Sequence, residues 1–127
     1  MPLQPGLCAV VSLDVEPGDT ALALETGDVP VLATPRLIRL AEQATLRAVE
    51  GHLAAGTTTV GYRVQVDHLA PVPVGDRVNA EATLESVEGR RLTFRVSLTD
   101  ARGLVGAGRI TRVVVERDRF MERASGV

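Results

Sequence analysis

Two titratable side chains, Glu42 on a helix and His68 on a strand, fall where a folded core has to accommodate them. Residues 35–50 carry helical spacing, with Arg36, Arg39, Gln43, Arg47 and Glu50 in one narrow stripe at 3.6 residues per turn. Leu37, Ile38, Ala41, Ala44, Thr45, Ala48 and Val49 make the opposite, buried face. Glu42 lies roughly 100° from the centre of the charged stripe, among Ile38, Leu46 and Val49. A carboxylate at that margin is costly to desolvate unless a neighbour compensates it or chemistry uses it. Residues 57–69 alternate as a half-buried strand: Val60, Tyr62, Val64, Val66 and His68 share one face, and Thr59, Gly61, Arg63, Gln65 and Asp67 the other. His68 continues the apolar row and is expected to point toward the helix. A carboxyl and an imidazole at one core surface can serve proton transfer. Read as an isolated pair, they fit an internal ion pair or a hydrogen-bonded core histidine equally well.

The elements around these residues follow in a simple order. Residues 7–15 form a first strand, closed by the turn Glu16-Pro17-Gly18-Asp19. Residues 20–24 extend that strand or run separately, and a loop with Gly27, Asp28 and Pro30 leads to the helix. Thr34 is expected as N-cap with Pro35 at the first helical position, and Gly51 and Gly56 mark where the helix stops. Further strands are expected over residues 77–87, with Val78, Ala80, Ala82 and Leu84 inward. After the Glu88-Gly89-Arg90 turn, Leu92, Phe94, Val96 and Leu98 form the next inward row. Residues 104–115 close the sheet, with Gly106, Gly108, Ile110, Arg112 and Val114 on one face, and the charged tail from Glu116 forms at most a short helix. One long helix inserted after the first of five strands is an α+β layout in a single domain spanning residues 1–127. Ala41, Ala44 and Ala48 allow the sheet to approach the helix closely. A single helix covers only part of such a sheet, so the uncovered face or edge is expected to meet a second subunit.

Composition narrows the function. The chain of 127 residues is 45% hydrophobic and 24% charged, as a globular domain is, with a formal charge of −2. Scattered basic residues and only three aromatics, Tyr62, Phe94 and Phe120, speak against nucleic-acid binding. All 14 basic residues are arginine, which excludes lysine Schiff bases and a P-loop lysine. Cys8 is the single cysteine and is expected in the core; no intramolecular disulfide or multi-cysteine zinc site is possible. Asp67 and His68 adjoin, but no third ligand stands at metal spacing, and no metal is expected. Gly106-Ala107-Gly108 is followed by no helix and is not a dinucleotide fingerprint. His52 is expected to face solvent. No arginine precedes Arg36 and no long apolar run occurs, so a cytoplasmic, soluble protein without a membrane span is expected.

The order of elements, with Thr34, Glu42 eight residues on and His68 on the next strand, resembles the hotdog-fold acyl-CoA thioesterases, and most of all the fluoroacetyl-CoA thioesterase group. Gly61 and Arg112 fall on motif positions of that group, and Ser86-Val87-Glu88-Gly89-Arg90-Arg91-Leu92 is similar to its third-to-fourth strand hairpin. The resemblance runs from about Val31 to Val115. It implies a hotdog fold, an antiparallel five-stranded sheet wrapped around one long helix. It also implies hydrolysis of a small or medium acyl-CoA thioester without metal or redox cofactor, by a homodimer or a dimer of dimers. Thr34, Glu42 and His68 would form the catalytic set, and Gly61 and Arg112 would contact substrate. Residues 24–31 depart from the group, which carries phenylalanines there over the fluorinated acyl group; this chain has no aromatic in the segment, so another acyl substrate is expected.

Under that resemblance, Thr34 and the nearby backbone N–H groups would stabilise the oxyanion. Glu42 would activate water or act as nucleophile, and His68 would orient or protonate. Thr34 read alone is an N-cap, and Arg112 is a structural partner of a carboxylate or a phosphate ligand. Eight helical residues span about 12 Å, so Thr34 and Glu42 of one chain cannot bond directly; either the helix breaks early or the two act from different subunits on one substrate. A non-catalytic acyl-CoA-binding module on the same scaffold is the alternative. A hydratase is disfavoured because Asp67 and His68 point to opposite faces of their strand.

Overall fold

The computed structural model describes residues 2–126. Strand β1 (Cys8–Asp14) runs into a 3-10 turn at Pro17–Asp19, a short helix α1 (Ala21–Leu24) and the long helix α2 (Thr34–Ala48). Strands β2 (Thr57–His68), β3 (Arg77–Glu88), β4 (Arg91–Asp100) and β5 (Gly103–Glu116) follow, and α3 (Arg117–Ala124) ends the chain. Every neighbouring pair is antiparallel, in the order β1-β3-β4-β5-β2. The first two strands therefore occupy opposite edges, and α2 carries the chain between them across the inner face. This is the hotdog arrangement expected above. No described helix is long and apolar enough to cross a membrane.

Packing follows from residue size. The inward rows Val78, Ala80, Ala82, Leu84 and Leu92, Phe94, Val96, Leu98 are buried as their alternation predicts. Ala80 and Ala82 leave room beneath α2, which packs mainly over β1 and β3 with Leu37, Leu40, Ala41 and Ala44 buried. Leu40 belongs to this face in addition to the residues read from the sequence. The outer face is charged, with Glu85 paired to Arg109 at 2.8 Å and to Arg95 at 3.5 Å.

Five local expectations are corrected. Thr34 is not the N-cap: Ala33 takes that position with extended backbone, and Thr34 opens α2 with its side chain turned elsewhere. Thr20 caps α1 through Ala23 N–H at 3.2 Å, so residues 21–24 are helical and not strand. Cys8 is exposed, because Ala9, Val11 and Leu13 take the inward row of β1. His52 is half-buried, with Nδ1 buried, and does not face solvent. Arg36 stands in the charged stripe, yet the segment before α2 folds over it. Its Nε bonds Asp19 at 3.0 Å, with side chains only 13% and 18% exposed.

The correction that matters most for function lies in β2. Gly61 pairs with Arg112 and Arg63 with Thr111, so Tyr62 is an extra residue, a β-bulge. The bulge reverses the parity of the strand. Thr59 and Gly61 before it and Val64, Val66 and His68 after it share the helix side, while Tyr62 is 56% exposed. A strand read as strictly alternating put Thr59 and Gly61 on the wrong face.

Beyond the bulge, Val66 lies opposite Gly108. A Cβ at Gly108 would collide with the Gln65 carbonyl oxygen and come within 2.7 Å of Val66 Cα, both backbone atoms that cannot swing aside. Gly108→Ala is expected to lower the free energy of urea unfolding by about 1–3 kcal/mol. Gly18→Ala, where a Cβ meets nothing within 4 Å, is the control and should shift it by less than about 0.5 kcal/mol. Equal effects at the two positions would show that the β2–β5 contact is looser than described.

Candidate active site

Two polar groups stand on the inner face of β2, one at each end of the bulged stretch. At the far end, Thr34 at the start of α2 meets His68 at the end of β2, with Oγ1 and Nδ1 2.8 Å apart. Freed from capping, the Thr34 hydroxyl is available to the imidazole. His68 Nε2 is buried with no protein partner among the described residues. Burial pushes the His68 pKa below its usual 6.5, with the Ala70 backbone opposing, so the neutral ring is favoured. Thr34 and His68 line a cavity of about 360 Å³ whose walls include Ala21, Val29, Val31 and Leu69. Thr26 and Gly27 from the loop before α2 complete its rim.

The second group centres on Arg112, which is 6% exposed. Its Nε donates to Thr59 Oγ1 at 2.9 Å, Nη2 to the Thr59 carbonyl at 3.0 Å, and Nη1 to Glu42 Oε2 at 3.0 Å. Burial lowers the Arg112 pKa and the Glu42 carboxylate draws it back up; guanidinium remains the cation throughout the working range. Glu42 keeps 35% of its side chain exposed, so its carboxylate is anchored on one side and open on the other. Gly61 leaves space beside the anchored oxygen, since a Cβ there would sit 3.0 Å from Glu42 Oε2 and 3.8 Å from Arg112 Nη1.

The structure thus brings Thr34 to His68, and Glu42 to Arg112 and Gly61, without joining the two groups within one chain. Thr34 and Glu42 are eight residues apart on α2, about 12 Å. Gly61 and His68 are seven apart on β2, about 20 Å. Arg112 commits its donors inside the subunit, which suits an anchor for Glu42 better than a phosphate clamp. Thr59 is the functional neighbour that the alternation pattern hid; the strand-interior glycine at 61 was the available sign of a bulge beside it.

An arrangement of a held carboxylate, a hydroxyl on an imidazole at a helix N-terminus and an adjoining apolar cavity suits addition to a carbonyl group. Residues 15–118 match the family described as fluoroacetyl-CoA-specific thioesterase. The fluoroacetyl-CoA thioesterase of Streptantibioticus cattleyicolor is 39% identical over 90 residues, covering 71% of this chain and 65% of that protein, a little under two thirds of its length. A solved structure of the fluoroacetyl-CoA thioesterase FlK superposes with a TM-score of 0.92 at 32% identity, covering 99% of this chain and 98% of that one. A hot-dog-like protein from Thermanaerovibrio acidaminovorans superposes with a TM-score of 0.89 at 27% identity, covering 96% and 90%. The chain belongs to the fluoroacetyl-CoA-specific thioesterase family.

Proposed function

We propose that this protein hydrolyses a small or medium acyl-CoA thioester at a site completed by two subunits. The observation that carries the reading is the pair of half-sites: an anchored, half-open Glu42 and a Thr34–His68 bond, about 12 Å apart on one helix. Too far apart to meet in one chain, they come within reach of one thioester when Thr34 and His68 of one copy face Glu42 of another. The free edge of β2, which carries both Gly61 and His68, supports such a pairing of copies in a homodimer or a dimer of dimers.

Thr34 Oγ1–H and the N–H groups of the first turn of α2 stabilise the oxygen that becomes negative when the thioester carbonyl is attacked. Pro35 has no N–H, which raises the weight of the Thr34 hydroxyl. Glu42 removes a proton from water as its oxygen bonds the carbonyl carbon, and the C–S bond then breaks with the electron pair leaving on sulfur. In the alternative route the Glu42 oxygen attacks directly and water opens the resulting anhydride. Arg112 and Gly61 act on Glu42, one holding it and the other leaving space beside it.

A non-catalytic acyl-CoA-binding module is the second reading, favoured by the Arg112 bond that occupies Oε2. Exposure of the rest of the Glu42 side chain supports hydrolysis instead. Glu42→Gln, which keeps the shape and loses the charge, is expected to lower kcat on acyl-CoA esters by about 10²–10⁴-fold with little change in KM. Unchanged kcat would remove Glu42 from the chemistry. Single-turnover hydrolysis in heavy-oxygen water, with mass analysis of the protein, separates the routes: label appears in Glu42 only if an anhydride forms.

The cavity beside Thr34 and His68 has no aromatic wall, its loop side being Thr26, Gly27, Val29 and Val31. In a panel of acyl-CoA esters, kcat/KM for fluoroacetyl-CoA is expected to hold no advantage over acetyl-CoA. A strong preference for the fluorinated ester would contradict this.

The lowered His68 pKa has a definite sign. Below 6.5 the unfolded chain takes up the histidine proton before the folded protein does, so stability falls with falling pH until the folded-state pKa is passed. A protonated ring can only donate from Nδ1 to Thr34 Oγ1. An NMR titration of the His68 imidazole is expected to show a midpoint below 6.5; a midpoint at or above it would mean the ring is not desolvated as described.

A further inference from the structure

A second cavity, of about 380 Å³, lies between α3 and the turn joining β3 to β4. Arg90 enters it from the turn, and Arg119, Phe120 and Arg123 enter from α3. Arg119 and Arg123 are four residues apart and so lie on one helix face. None of these three arginines forms an ion pair among the described residues, and neither do Arg39, Arg63, Arg91 and Arg117, but only Arg90, Arg119 and Arg123 line this cavity. Glu116 is the one acid on the cavity wall. Both carriers are fixed: Val114 N–H bonds the Arg90 carbonyl at 2.8 Å, and Arg117 N–H bonds the Gly56 carbonyl at 3.0 Å. Of the three aromatics in the chain, Phe94 is in the core and Tyr62 lies under Arg91 at 4.8 Å. Phe120 is half-buried at this cavity.

Three unpaired guanidiniums around one ring suit a ligand that carries several phosphates and a flat base. With a net charge of −2 on the whole chain, the cluster suits a single small anion and not a polyanion. Its place on the sheet fits the main site. Thr57 and Glu116, which line the cavity, pair four residues along the same ladder from Gly61 and Arg112, about 13 Å away. An extended ligand could reach both. We propose that this cavity binds the phosphorylated adenosine end of coenzyme A, with Arg90, Arg119 and Arg123 on its phosphates and Phe120 against the adenine. The assignment rests on the acyl-CoA reading above and extends it.

The test compares an acyl-CoA ester with the same acyl group on pantetheine, which lacks the nucleotide. In the Arg119→Ala/Arg123→Ala variant, KM for acyl-CoA is expected to rise on the order of tenfold, with kcat unchanged and the acyl-pantetheine constants unchanged. Arg119→Lys/Arg123→Lys should recover part of the loss. Both side chains are exposed, so folding is not at risk. KM values for the two substrates that shift together, or neither shifting, would overturn the proposal. Calorimetry with desulfo-coenzyme A and with inorganic phosphate reads the cavity independently of turnover. Desulfo-coenzyme A should bind wild type more tightly than phosphate does and lose affinity in the double alanine variant. Equal binding of phosphate, or no loss in the variant, would overturn the nucleotide assignment even if hydrolysis stands. If no acyl-CoA is hydrolysed, the calorimetric result still decides the cavity.

Discussion

A guanidinium buried under α2 holds three elements in one register. Arg112 belongs to β5, bonds the Thr59 hydroxyl and carbonyl of β2, and reaches Glu42 on α2. Burying that cation is unfavourable unless each donor is met, and all three of its nitrogens are. Glu42 is therefore positioned by the sheet and not by the rotamer freedom of its own side chain. Its charge is partly compensated, while 35% of the side chain stays open. Gly61 sits directly beneath, and the space it leaves is as much a part of the site as the groups around it.

The helix sets the spacing of everything else. Its interior has neither glycine nor proline, Pro35 being confined to the first turn, so nothing in α2 lets Thr34 swing toward Glu42. Tying Thr34 to His68 also joins the first turn of α2 to the last residue of β2. Both half-sites are thereby referenced to the same strand but to opposite ends of it. The spacing between them is therefore fixed by the backbones of α2 and β2.

Much of this was legible from residue types and spacing, and the failures have physical causes. The helical wheel isolated Glu42 because one carboxylate stood off a charged stripe, and the alternation in β3 and β4 identified the buried apolar residues of their inner rows but not Asp100, which was read as a turn. His68 was placed on the helix side correctly. Gly61 and Thr59 were not, because a bulge adds one residue without altering composition, and alternation counted across it inverts. Thr34 was read as a cap because local rules favour a threonine before proline. A tertiary bond to an imidazole 34 residues away overrode them. Arg36 looked solvated for a similar reason: its partner Asp19 comes from a segment whose path over α2 has no periodic signature.

The exclusive use of arginine has structural consequences at these positions. A lysine at 112 would bring its donors from a single nitrogen, and could not meet the Thr59 hydroxyl, the Thr59 carbonyl and Glu42 from three separated atoms of one plane. The same planarity serves Arg77, which meets Asp14 through Nε at 2.8 Å and Nη2 at 3.1 Å, and Arg109, which meets Glu85 through Nε at 2.8 Å and Nη2 at 3.3 Å. Those two pairs are exposed or nearly so and add little to stability. Arg112 uses the same geometry where water is excluded, and there the number and direction of donors decide whether a cation can be buried at all. Directional donation from a buried plane is what lets a carboxylate on a helix be held at one oxygen while its side chain stays partly exposed.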